Sequence, residues 1–289
     1  MFLLYLIPII ALIIVFIIVF ITYREPKKGG CGCKNQNEGF SPAPASSFAS
    51  SASSTLNADD IDFHVITLHN KDRLKNIEEQ QKKIGDTRIH LFDGIWGDSI
   101  NKTELIKNNV LSPDFNGNED PKIRGREIGC YLSHKYVIDT IQPTPNKYTV
   151  IFEDDFTIES TFMNSVLSLL QELVEKGIDF DMLFLGNQHE NHGNKILSKQ
   201  THSIYGIDKN ALLMGTYGYI INNRHCRKIQ KCLHPAKRQI DIEFNHRAKD
   251  GDLTVLMVYP TIVHVQNKLI STIQSVQEGF SGRTYATFV

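Results

Sequence analysis

Tyr148-Thr149-Val150-Ile151-Phe152 is a β-branched and aromatic run that passes without a break into Glu153-Asp154-Asp155. The apolar half reads as a buried strand, and carboxylates at the end of such a strand are costly to bury unpaired. They want a compensating cation. If strand geometry continues through them, Glu153 and Asp155 project to one side and Asp154 to the other. Two hard oxygen ligands on one face suit Mg²⁺ or Mn²⁺. The plainer alternative is an exposed acidic turn.

The 289-residue chain has a formal net charge of −1. It shows no basic bias, so nucleic acid is not an expected partner. Residues 1–23 carry no charged side chain, and as a helix they would extend about 34 Å, enough to cross a bilayer core. They lack the basic start and small-residue cleavage point of a signal peptide, so the reading is an uncleaved single-span anchor in the lipid bilayer. Arg24, Lys27 and Lys28 follow the span, and the positive-inside rule then places the larger C-terminal portion in the cytoplasm. Cys31 and Cys33 beside them suit palmitoylation or serve as plain linker thiols. Cys130, Cys226 and Cys232 suggest neither a disulfide framework nor a zinc site. Residues 24–60, a Lys/Gly start followed by Ser, Ala and Pro, read as a flexible tether. Residues 61–289 are ample for one α/β domain.

Within that domain strands and helices alternate. Strands are expected at 62–68, 87–92, 147–152, 181–185, 211–221, 254–259 and 262–265. Helices are expected at 71–84, 126–141, 161–176, 222–233 and 240–247. The pattern predicts a mixed, mostly parallel sheet flanked by helices, with neither a GxGxxG nor a GxxxxGK[ST] phosphate loop.

Four further segments carry candidate chemistry. In Gly125-Arg126-Glu127-Ile128-Gly129-Cys130-Tyr131-Leu132-Ser133-His134, glycines bracket Glu127 at an expected helix start, where an anion is favoured. Gly129 would let another backbone approach. Ordinary capping and packing is the alternative. Gly215-Thr216-Tyr217-Gly218 suggests a strand approached by a ligand, or a bulge. Asp241 and Glu243 open an expected helix, where capping is the ordinary role. His264 on a late strand is a core histidine or a third metal ligand.

Taken in order, these segments resemble glycosyltransferase family 25, whose members include bacterial lipooligosaccharide galactosyltransferases and the galactosyltransferases that modify collagen hydroxylysine. Val65-Ile66-Thr67-Leu68 with Arg73 is followed by Glu127-Ile128-Gly129-Cys130 with Ser133-His134. Phe152-Glu153-Asp154-Asp155, Asp181 to Gly186, Gly215 to Tyr219, Asp241 and the closing Pro260 to Ser271 stretch complete the series. Asp241 lacks the family's usual neighbours, and Ser271-Thr272-Ile273 lacks its frequent Asp. The resemblance implies a GT-A-like fold and inverting transfer of galactose or glucose from a UDP-sugar to a glycan or hydroxylated protein. It also implies Mn²⁺ or Mg²⁺ on Glu153 and Asp155, with Asp154, Gly215 and Thr216 on the donor side. Asp241 is the first candidate for the base that takes the acceptor's proton, and Glu127 the second. Collagen-modifying relatives imply the secretory lumen, in conflict with the charge asymmetry. The competing readings are a metal-dependent phosphoryl transferase or hydrolase, and an inactive membrane-tethered glycan-binding or scaffold protein that keeps the fold.

Overall fold

The computed structural model describes residues 55–85, 89–188, 192–198, 201–209, 211–266 and 269, all within the unit Ala52–Val289. The expected membrane anchor, most of the tether and the Ser271–Gln274 segment lie outside the described residues. Among the described residues no helix is long and apolar enough to cross a membrane.

The folded unit starts upstream of Ile61. Asn57 and Asp60 cap a short turn reciprocally, and the Leu56 N–H donates to Gln171 Oε1 at 2.9 Å. β1 (Ile61–Thr67) leads into α1 (Lys71–Ile84) and β2 (Ile89–Asp93). Next come α2 (Lys102–Lys107), β3 (Leu111–Asn116), α3 (Pro121–Thr140), β4 (Tyr148–Glu153), β5 (Phe156–Ile158) and α4 (Phe162–Glu175). β6 (Met182–Phe184), β7 (Lys195–Leu197), β8 (Ser203–Gly206) and β9 (Gly218–Asn222) follow. The order closes with α5 (Cys226–Cys232), β10 (Ala236–Arg238), α6 (Ile240–Lys249), β11 (Val255–Tyr259) and β12 (Val263–Val265).

Eight strands form the central sheet in the order β2-β1-β4-β9-β6-β11-β8-β7. β1 pairs in parallel with both β2 and β4, and β6 pairs in parallel with β11. β9 and β8 run against their neighbours, making the sheet mixed. β4 is buried on both faces from Tyr148 to Phe152, as expected of a strand covered on both sides. Val150 and Phe152 pack with Ile77 of α1 and Leu169, Leu170 and Leu173 of α4. Ile151 packs on the other side with Tyr131 and Ile138 of α3, Ile229 of α5 and Phe244 of α6. The result is three layers, helix–sheet–helix.

Two boundaries differ from the sequence reading for identifiable reasons. α3 begins at Pro121 rather than Arg126: Asp120 accepts from the N–H groups of Lys122 and Ile123, and Pro121 occupies the first turn, a position that suits its missing donor. Gly125 and Glu127 therefore lie inside the helix and not at its anion-binding end. The expected strand at 211–221 shrinks to β9, because Gly215 takes a positive φ of 87° and turns the chain before Gly218.

Candidate active site

The site is built at the C-terminal ends of β1, β2 and β4, where open α/β sheets place their ligands. Beyond Glu153 the strand stops, and Asp154-Asp155 form a turn into β5. α1 holds this turn with a ladder of buried polar side chains. Asn76 Nδ2 donates to the carbonyls of Asp154 (3.1 Å) and Phe156 (2.9 Å), and Gln80 Oε1 accepts from the Ile158 N–H at 3.1 Å. One turn earlier, Arg73 Nη1 pairs with Asp154 Oδ1 and lies 3.4 Å from Asp155 Oδ2. The expected alternation therefore fails past Glu153, since Asp154 and Asp155 both meet Arg73. All three carboxylates nonetheless line one open cleft, with Ile95, Trp96, Arg126, Cys130 and His134 on its walls.

Glu153 Oε1 accepts the Thr216 hydroxyl and lies 3.2 Å from His134 Nε2. Burial opposes its charge, but these two contacts outweigh that and hold the carboxyl below its usual range. Asp155 behaves in the opposite way. Burial first, and Glu153 next, push it up to about 7 despite Arg73. Its Oδ1 is buried without a hydrogen-bond partner. An orphaned carboxylate oxygen beside a second acid is the vacancy in bonding that a hard divalent cation satisfies, so Glu153 and Asp155 fit one. Asp154 is spent on the scaffold: its Oδ1 faces Arg73 and its Oδ2 accepts from the Leu68 N–H at 3.3 Å, tying the end of β1 to the turn.

The loop before β9 connects the remaining candidates. While Thr216 reaches Glu153, the Gly215 N–H donates to Asp241 Oδ2 at 3.1 Å. Asp241 sits in the first turn of α6, and its carboxyl is raised by burial against the donors of Gly215 and Ile242, with Glu153 adding to the shift. Glu127 is buried, its oxygens accepting from Gln239 Nε2 and from the Asn118 N–H at 2.8 Å, and burial raises it as well. Neither Asp241 nor Glu127 is among the cleft-lining residues. His264 is corrected as a core residue: it is exposed on β12, opposite Thr157, and is not among the cleft-lining residues.

Gly129 performs the close approach expected of it. A Cβ there would lie 2.5 Å from the Ile95 carbonyl oxygen, and one on Gly97 would lie 2.3 Å from Arg126 Cα. Ser133 Oγ accepts from the Ile95 N–H at 2.8 Å and fixes the same segment. Trp96 is thereby held at the cleft wall, 41% exposed, with the Arg126 guanidinium 5.2 Å from its ring centroid. Arg126 is itself paired with Asp98 at 3.2 Å. Sequence reasoning gave no role to Trp96, His134 or Tyr219. The Cys130–His134 spacing of one helical turn was the available signal for His134.

A layered α/β protein with an acidic cleft at its parallel strand ends is the class this geometry defines. The family-wide sequence profile of "Glycosyltransferase family 25 (LPS biosynthesis protein)" matches residues 60–244, and the chain belongs to that family. It is 25% identical over 174 residues to procollagen galactosyltransferase 1-A of Xenopus laevis, covering 57% of this chain and 27% of that protein. It is 22% identical over 159 residues to human procollagen galactosyltransferase 2, covering 54% and 24%. A bovine relative named "Probable inactive glycosyltransferase 25 family member 3" is 31% identical over 65 residues, 22% of this chain and 11% of that protein. The chain thus spans about a quarter of the length of the galactosyltransferases it matches.

Proposed function

We propose that this protein transfers a hexose, galactose or glucose, from a UDP-sugar to a hydroxyl of a glycan or hydroxylated protein, with inversion at the anomeric carbon. The observation that carries the reading is the buried, partnerless Asp155 Oδ1 beside Glu153 at the strand ends. Glu153 and Asp155 would hold Mn²⁺ or Mg²⁺, which when bound supplies charge neutralisation for the departing diphosphate. Thr216 fixes the Glu153 carboxylate, and Asp154 with Arg73 fixes the turn that carries Asp155. Gly215 orients Asp241 through its N–H. Of the two candidates for the base, Asp241 is the one tied to Glu153 through the Gly215-Thr216 loop, so it takes the acceptor's proton while Glu127, held by Gln239 and Asn118, supports the neighbouring loop. We include residues 1–23 in the proposal as a single-span anchor. On the charge of Arg24, Lys27 and Lys28 the domain faces the cytoplasm, and protease protection in intact membranes tests that side.

The full chain incubated with UDP-galactose, UDP-glucose and their N-acetylated counterparts should release UDP with one hexose donor, and only with Mn²⁺ or Mg²⁺ present. Absence of turnover together with absence of metal-dependent UDP binding would sink the transferase reading. A second reading, an inactive glycan-binding protein of the same fold, draws on the Arg73 contact with both aspartates and on the relatives named as inactive. Glycan binding without donor turnover is its signature.

A further inference from the structure

Cys130 and His134 stand one turn apart on α3, facing Glu153 at the end of β4. The thiol sulfur, an imidazole nitrogen and a carboxylate oxygen of the three lie within 4.8 Å of one another. His134 Nε2 and Glu153 Oε1 are 3.2 Å apart. A tetrahedral ion with bonds of ~2.0–2.1 Å sets its N and O ligands about 3.3 Å apart, so this edge is already at ligand spacing.

The other side of the imidazole is prepared as well. His134 Nδ1 lies 2.9 Å from the buried Tyr219 hydroxyl. When an ion binds, the Nε2 proton that meets Glu153 moves to Nδ1 and is donated to that oxygen, leaving the Nε2 lone pair for the ion; this is an outer contact of the kind that orients metal-bound histidines. Cys130, His134 and Glu153 all line the open cleft, which leaves a fourth position to water or ligand.

We infer that Cys130, His134 and Glu153 form a second cation position, selective for soft or borderline divalent ions of the Zn²⁺ class and sharing Glu153 with the hard-cation position. Thiolate and imidazole together select such ions over Mg²⁺ and Mn²⁺. As the metal–sulfur bond forms, the thiol proton leaves to solvent. The two positions cannot both use Glu153 fully, so Zn²⁺ displaces the harder ion. Only this last step rests on the proposed function; the soft site stands on the three side chains.

The test uses the full chain with Cys31 and Cys33 replaced by serine, because that pair could itself bind the probe. Cd²⁺ titration should produce a sulfur-to-cadmium charge-transfer band in the ultraviolet at one equivalent. Cys130→Ser should abolish the band, His134→Gln should weaken binding at least tenfold, and Cys226→Ser should leave it intact. No band, or a band that survives Cys130→Ser, overturns the site. Should Cys130→Ser fail to fold, Zn²⁺ must still protect Cys130 of the otherwise unaltered protein from alkylation, read by peptide mass spectrometry; no protection overturns it equally. Excess Mn²⁺ should shift the Cd²⁺ titration to higher concentration. A band that Mn²⁺ leaves untouched would preserve the soft site and remove Glu153 from the hard-cation position, separating failure of one from failure of the other.

Discussion

Arg73 and Asp154, 81 positions apart in sequence, meet as a buried ion pair at the cleft floor, with side-chain exposures of 8% and 7%. Removing one partner of such a pair costs about 3–5 kcal/mol because the other charge is left buried. Arg73→Met should therefore destabilise the protein strongly in urea denaturation. The double variant Arg73→Met/Asp154→Asn should be less damaged than the sum of the two singles, with the interaction read from the cycle.

Asp155→Asn separates stability from function. The Asp155 carboxyl is pushed up from 3.8 to about 7, so the folded state loses stability as pH rises through that interval, and the loss is complete above it. The amide removes that cost, and stability at pH 8 should be unchanged or about 1 kcal/mol higher. Metal-dependent UDP release and calorimetric Mn²⁺ binding should both vanish. Full turnover in Asp155→Asn would show that this residue is not a ligand.

Trp96 is the only tryptophan of the chain and lies on the cleft wall. If a nucleotide base stacks there, UDP binding will quench the intrinsic fluorescence. Replacing an aromatic that stacks a base costs about 1–3 kcal/mol, so Trp96→Ala should raise the Kd for UDP roughly tenfold by calorimetry. Unchanged affinity would place the base elsewhere.

His64 on β1 gives a pH dependence. Its ring packs 4.8 Å from Phe92 and 5.4 Å from His90, and its Nδ1 is buried without a partner. Burial first, then His90, hold its pKa down at about 4, against an ordinary 6.5. A depressed histidine favours folding in its neutral form. That contribution is complete above pH 6.5 and is lost as pH falls toward 4. Between pH 7.5 and 5 the wild type should lose about 1–2 kcal/mol more than His64→Gln in urea denaturation; equal losses would refute the assignment.

The central strand and its acids were legible in the sequence because an unbroken β-branched run has few alternatives, and α1 matched its expected bounds because its amphipathic pattern is long. The acids' directions were not legible. They depend on a turn that Asn76 and Gln80 hold from 78 to 80 positions away, and polar residues on a helix face do not announce burial. β5, β7 and β10 span three residues each, too short to show alternation. Asp120-Pro121 did carry a helix-start signal, which the glycines downstream obscured. The Gly215 turn was hidden differently, since Gly-Thr-Tyr-Gly fits a strand as well as the positive φ it adopts.

Gly125 and Gly129 form a trough in α3 that receives Gly97 with almost no clearance. That fit dictates how this rim of the cleft can diversify. The turn from 95 to 97 is cast in the helix, so an inserted residue has nowhere to go without lifting the whole segment away. Descendants of this sequence can retune the rim by exchanging the side chain at position 96. They cannot do so by lengthening the loop, the route usually open to surface segments.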